Sequence, residues 1–138
     1  KKVNALMELI LKKDLDGSLQ YLGETNEEGH NLVQFTRDLI HYLRKILALK
    51  INPSLERFFE SELTREEIER IKKLAEFIIP LKHIPLLRSL IRAYGEMRYS
   101  PFAIVPLEIA IIENLREKPS FANPPAGRAG ASEGKEEE

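Results

Sequence analysis

The hydrophobic residues of this chain recur at helical spacing along most of its length. Val3, Leu6, Met7 and Ile10 share one side of a helix running from Val3 to Lys13. Asp16 can cap a short second helix that carries Leu19 and Leu22 and ends in the polar turn Glu24 to Gly29. From Asn31 to Lys50 the pattern is clearest. Leu32, Phe35, Leu39, Leu43, Ile46 and Leu47 line one face, and Gln34, Arg37, His41, Arg44 and Lys45 line the other. Asn52-Pro53 places a cap before a proline at the first helical position, so Ser54 to Glu60 is expected to form a short helix. Thr64-Arg65-Glu66-Glu67 is a capping box, behind which Ile68, Ile71, Ala75 and Ile78 face inward. Glu66 with Arg70 and Glu69 with Lys73 are i,i+4 pairs in the favourable order. Pro80 is expected to stop this helix. The next starts near Pro85 and buries Leu87, Leu90, Ile91 and Tyr94.

The stretch that follows is the most apolar. Ser100-Pro101 is a turn, because the residue before a proline is biased out of the α region. A helix beginning near Phe102 or Ala103 accommodates Pro106 in its first turn, where no N–H partner is lost. Ile104, Val105, Leu107, Ile109, Ile111, Ile112 and Leu115 then cover an arc of roughly 200°, about twice the ~100° stripe of an ordinary surface helix. Such a helix must be enclosed by other helices, by other subunits, or by both. Glu108 falls within that arc and needs a partner if buried. It either pairs with Arg98, Arg92 or Arg88, or lies at the rim with its stem packed and its carboxylate in water.

No alternating strand pattern of useful length occurs, so the expected fold is all-α: a compact bundle of five to seven helices over residues 1–118. Residues 119–138 break into prolines, glycines and an acidic end, and are expected to be a disordered linker or tail. At 138 residues, the chain is long enough for one domain with a real core. Lys1-Lys2 carries no cap signal, so the chain reads as opening inside a longer protein. No apolar run approaches the ~20 residues of a membrane span, no signal-peptide pattern opens the chain, and a cytoplasmic location is expected.

Charge changes the picture little. The tail holds two basic and four acidic residues, which leaves 19 basic against 18 acidic in residues 1–118, a net +1. That argues against a free-standing nucleic-acid binder held by phosphate contacts. Lys82, His83, Arg88, Arg92 and Arg98 form the one basic cluster, readable as a DNA contact or as a solvated helix face at a subunit edge. Cysteine is absent, so disulfides and thiolate metal sites are excluded. His30, His41 and His83 lack a second ligand at metal spacing, and there is no phosphate loop and no G-x-G-x-x-G. No catalytic, cofactor-binding or metal-ligating residue is therefore expected. Tyr94, Met97, Tyr99 and Phe102 surround the Ser100-Pro101 turn, either as core closing around the bend or as a patch used by a partner.

Glu96-Met97-Arg98-Tyr99-Ser100-Pro101, followed by Leu107-Glu108-Ile109-Ala110-Ile111-Ile112, resembles the end of domain III of the gamma/tau subunit of the bacterial DNA polymerase III clamp loader. There an E-L-x-x-[SA]-P turn leads into a helix of the form L-E-M-x-L-L. Ala5 to Leu22 resembles that domain's opening helix pair, and Leu39 to Leu49 its long third helix. The resemblance covers about residues 3–117. Glu113 departs from the basic residue often found after L-L, and Pro106 from the usual small residue.

The resemblance implies a helical collar domain, an oligomerisation module that follows an AAA+ ATPase module in the parent protein. ATP and magnesium would belong to that module and not to these residues. The implied partners are other clamp-loader subunits (further copies of itself, delta and delta-prime-like chains). Through the parent come the sliding clamp, primed DNA and the polymerase core. The expected interface draws on Arg92, Tyr94, Met97, Arg98, Tyr99 and Phe102 around the turn, and on Ile104, Glu108, Ile111, Ile112 and Leu115 of the last helix. Two other readings fit less of the chain: the helical C-terminal domain of another AAA+ replication or recombination protein, and a small helical enzyme or ligand-binding bundle, which needs a pocket of convergent polar groups.

Overall fold

The computed structural model describes residues 2–116. They form α1 (Val3–Leu11), α2 (Leu15–Glu27), α3 (Leu32–Ile51), a 3-10 turn (Pro53–Leu55), α4 (Glu56–Phe59), α5 (Arg65–Ala75), α6 (Pro80–Met97) and α7 (Ile104–Leu115). Among the described residues there is no strand, and the all-α expectation holds. The proposed tail, residues 119–138, lies outside them.

Helix α3 is the spine. It packs against α1, α5 and α6, and Leu39, Leu43 and Ile46 on its inner face are wholly buried. Helices α6 and α7 form a hairpin, and α7 also rests on α2, which joins the end of the described chain to its beginning. Leu6, Ile10, Leu22, Leu90, Leu107 and Ile111 complete one continuous core.

Local chemistry sets most boundaries. Asn31 caps α3 by accepting the Gln34 N–H at 3.1 Å, and Asn52 accepts the Ser54 N–H at the start of the 3-10 turn. The Thr64 capping box closes in both directions: Thr64 Oγ1 accepts the Glu67 N–H at 3.1 Å, and Glu67 Oε1 accepts the Thr64 N–H at 2.8 Å. Helix α2 ends with Gly29 at φ +82°, the His30 N–H reaching Thr25 O and the Gly29 N–H reaching Asn26 O. Helix α1 ends in the same motif, but with Lys13 at φ +63° where a glycine would be less strained.

Five expectations are corrected. The cap of α2 is Asp14, not Asp16; Asp14 Oδ1 accepts the Gly17 N–H at 2.8 Å, while Asp16 sits in the first turn, favourable to the helix dipole. Helix α5 ends at Ala75, and Pro80 starts the next helix instead of stopping the previous one. Pro85, expected near the start of α6, therefore lies inside it. The carbonyl it leaves unbonded belongs to Leu81, which is 89% exposed, so water can satisfy it. The inward face of α6 shifts accordingly: His83, Leu86, Leu90, Ala93 and Met97 are buried, Leu87 and Tyr94 are half-buried, and Ile91 is exposed. Finally, the expected Glu66–Arg70 and Glu69–Lys73 pairs do not form. Arg65 instead bonds Glu69 at 3.0 Å and Glu56 at 3.2 Å, and Lys72 reaches Glu56 at 3.3 Å, tying α4 to α5 at the surface.

Candidate interaction surface

Helix α7 resolves the question raised by its wide apolar arc. Pro106, Leu107, Ala110 and Ile111 are buried against α6 and α2. Ile104, Ile112 and Leu115 are half-buried, and Val105 and Ile109, one turn apart, are exposed. The bundle thus buries or half-buries five of the seven arc residues and leaves Val105 and Ile109 outside. Phe102, 68% exposed, and Tyr99, 84% exposed, extend this apolar surface around the turn. The turn itself is fixed by Ser100, whose Oγ donates to Phe102 O at 2.8 Å and accepts the Phe102 N–H at 3.2 Å. The Phe102 ring is therefore displayed on an ordered bend.

The predicted interface residues divide. Arg92, Arg98, Tyr99 and Phe102 are exposed, and Tyr94, Ile104, Glu108, Ile112 and Leu115 are half-buried. Met97 and Ile111 are core residues, 3% and 0% exposed, and neither is available to a partner. Met97 projects from the buried side of α6, and Ile111 sits at the centre of the α7 seam. Sequence reasoning missed Ile109 and Val105 as exposed surface, although both belonged to the arc. The signal was present in their i,i+4 spacing opposite Leu107 and Ala110.

Glu108 forms no ion pair with Arg88, Arg92 or Arg98 among the described residues; the pairing expected within the chain is not made. Helical spacing explains this. Glu108 lies with Ile104 and Ile112 on the border between the buried and exposed parts of α7. Arg92 lies on the other side of the helix, in a narrow groove with Ser89, Glu96, Ile109 and Glu113. Ile84 and Ile91 lie a heptad apart on the flank of α6, and Arg98 continues the same line. Arg88, Arg92 and Arg98 are all exposed, and none enters an ion pair among the described residues.

Two larger clefts flank α3 and α6. The first, about 500 Å³, lies among α1, α3 and α5 and brings together Asp38, His41, Lys45, Glu67 and Arg70. Tyr42 also lines it; its Oη is buried with no hydrogen-bond partner among the described residues, and burial pushes the phenol pKa upward. The second, about 610 Å³, lies between the α1–α2 corner, the first turns of α6 and the end of α7. Among the described residues no group of three or more His, Cys, Asp or Glu side chains could hold a metal ion, and no helix is long and apolar enough to cross a membrane.

Comparison with known proteins is specific on one point. Nothing among curated proteins or solved structures matches the chain. The profile described as DNA polymerase III subunits gamma and tau domain III matches residues 1–121. With a match over most of its length, and an α6–α7 hairpin carrying the motif from Glu96 to Ile112, the chain belongs to the gamma/tau domain III family, that of the DNA polymerase III clamp loader in DNA replication.

Proposed function

We propose that this domain is a collar module whose α6–α7 hairpin joins it to other clamp-loader subunits, and so supports the ATP-dependent loading of the sliding clamp by AAA+ modules elsewhere in the assembly. The observation that carries this reading is the outer face of α7. Val105 and Ile109 stay exposed on an otherwise well-packed helix, with Phe102 exposed on the bend before it, and their fixed position suits an apolar contact with a neighbouring helical domain. Arg92 and Arg98, without ion-pair partners in the described chain, can meet carboxylates across such a boundary. Glu108, at the edge of the same face, is placed to take an arginine from the neighbouring subunit. The partners are further copies of this chain and delta- and delta-prime-like subunits. Contact with the clamp, primed DNA and the polymerase core comes through the whole assembly.

The test is the mass, by light scattering, of the chain alone and mixed with the other clamp-loader subunits. The wild-type chain should enter a larger species. Ile109→Asp should not, with its circular dichroism unchanged, because the side chain is already exposed. Glu108→Gln should weaken assembly while leaving unfolding in denaturant nearly as before. Equal assembly by wild type and Ile109→Asp would remove the basis for this reading.

A further inference from the structure

The second cleft has a chemistry that subunit docking does not use. Lys13 enters it from the α1–α2 corner, Lys82 and His83 from the start of α6, and Arg116 from the end of α7. Lys13 and Lys82 stand side by side, and contact with the Lys13 ammonium and its charge hold the Lys82 pKa below its ordinary value. Two cations held this close repel each other, and an anion between them would relieve that repulsion. Among the described residues Glu113 is the one acidic side chain lining the cleft, against three cations.

His83 is the more specific feature. The residue is 8% exposed, and Nδ1 accepts the Ile79 N–H at 2.9 Å. A neutral ring used in this way carries its proton on Nε2, so Nε2–H is a donor. That donor has no partner among the described residues, although the ring lines the cleft. A fixed N–H donor that no protein acceptor occupies, open to the cleft beside two adjacent lysines and an arginine, is a set of groups suited to an anion. Ile10, Leu86 and Leu115 form an apolar floor, so there is room for more than a bare oxyanion.

We infer that the cleft between Lys13, Lys82, His83 and Arg116 binds a phosphoryl group, with Nε2–H of His83 as the directional donor and the three cations as counter-charges. The phosphoryl group can come from a small phosphorylated compound or from the backbone of a nucleic-acid strand, the chemistry of recognition being the same. Lys13 and Lys82 reach the cleft from positions far apart in the chain, and Arg116 from a third, so the site exists only in the folded protein.

The experiment is a titration of the 15N-labelled 138-residue chain with pyrophosphate at constant ionic strength, followed by amide and imidazole NMR signals. Saturable shifts are expected at Lys13, Lys82, His83 and Arg116, with the His83 Nε2–H signal moving most. The double variant Lys13→Gln/Lys82→Gln, both positions being exposed, should fold as wild type and bind at least tenfold more weakly. Arg37→Gln, on α3 and outside the cleft, should bind unchanged. A short thymidine oligonucleotide that shifts the same signals and competes with pyrophosphate would identify a nucleic-acid strand as the source. Failure of the oligonucleotide where pyrophosphate binds would identify a small compound. Absence of saturable shifts with both, equal affinity in the double variant, or binding of succinate as tight as that of pyrophosphate would overturn the assignment.

Discussion

His83 makes a prediction that the structure specifies closely. The side chain is buried, and burial is the main reason its pKa lies below the ordinary imidazole range; the nearby charges of Lys82 and Lys13 add to the effect. Geometry points the same way, because Nδ1 can accept the Ile79 N–H at 2.9 Å only while it carries no proton. Above the usual imidazole pKa both the folded and the unfolded chain hold the ring neutral. As the pH falls through about 6.5, the unfolded chain takes up its proton first, so stability falls until the folded ring is protonated too. Protonation of the folded ring sets a donor against a donor and loses a bond worth about 1 kcal/mol, roughly a fivefold change in the ratio of folded to unfolded chain. In His83→Gln the amide oxygen can reach back to the Ile79 N–H as the glutamine of a capping box does, without titrating. Urea unfolding followed by far-UV circular dichroism at about pH 7.5 and about pH 5 should show wild type losing on the order of 1 kcal/mol more than His83→Gln. His30 and His41 are present in both proteins and cancel in the difference. Identical pH dependence in the two proteins would refute the assignment of the Nδ1 bond and of the buried neutral ring.

Three further outcomes follow from local geometry. Thr64→Ala removes the hydroxyl that accepts the Glu67 N–H and should cost about 1 kcal/mol, read as a fall in Tm of roughly 4 °C by calorimetry. The Glu67 carboxyl is held below its ordinary 4.5 chiefly by the Thr64 backbone N–H and then by the Thr64 hydroxyl. Its stabilising contribution is therefore present above that value and lost as the pH falls through the folded pKa, and acid-unfolding curves of Glu67→Gln should lack that component. Lys13→Gly relieves a left-handed lysine and should raise stability by about 1 kcal/mol in urea, while removing one cation from the cleft beside His83.

The sequence revealed what depends on near neighbours and hid what depends on distant ones. Asn31, Asn52 and the Thr64–Glu67 box were legible because a cap is made within three residues of itself. The start of α6 was not, because two prolines competed for it. The deciding facts, solvent at Leu81 and the reach of His83 back to Ile79, belong to the folded helix. Glu108 was correctly placed within the apolar arc of α7. Which part of that arc the bundle would consume depended on α2, some eighty residues earlier in the chain. Met97 and Ile111 were assigned to a surface they do not reach, since apolar residues for a core and for a partner look alike along one helix. Lys82 and His83 were legible as part of a basic cluster, but nothing in the sequence joined them to Lys13 and Arg116, since the cleft's members come from three separate helix ends.

Helix α7 rests chiefly on α6 and α2, away from the spine, and Val105 and Ile109 face outward from it. Its amide hydrogens should therefore exchange with deuterated solvent through openings smaller than complete unfolding, and sooner than those in the middle of α3. A neighbouring domain seated on Val105 and Ile109 would close those openings, so slowed exchange confined to this one helix would report docking even where the mass of the assembly is unknown.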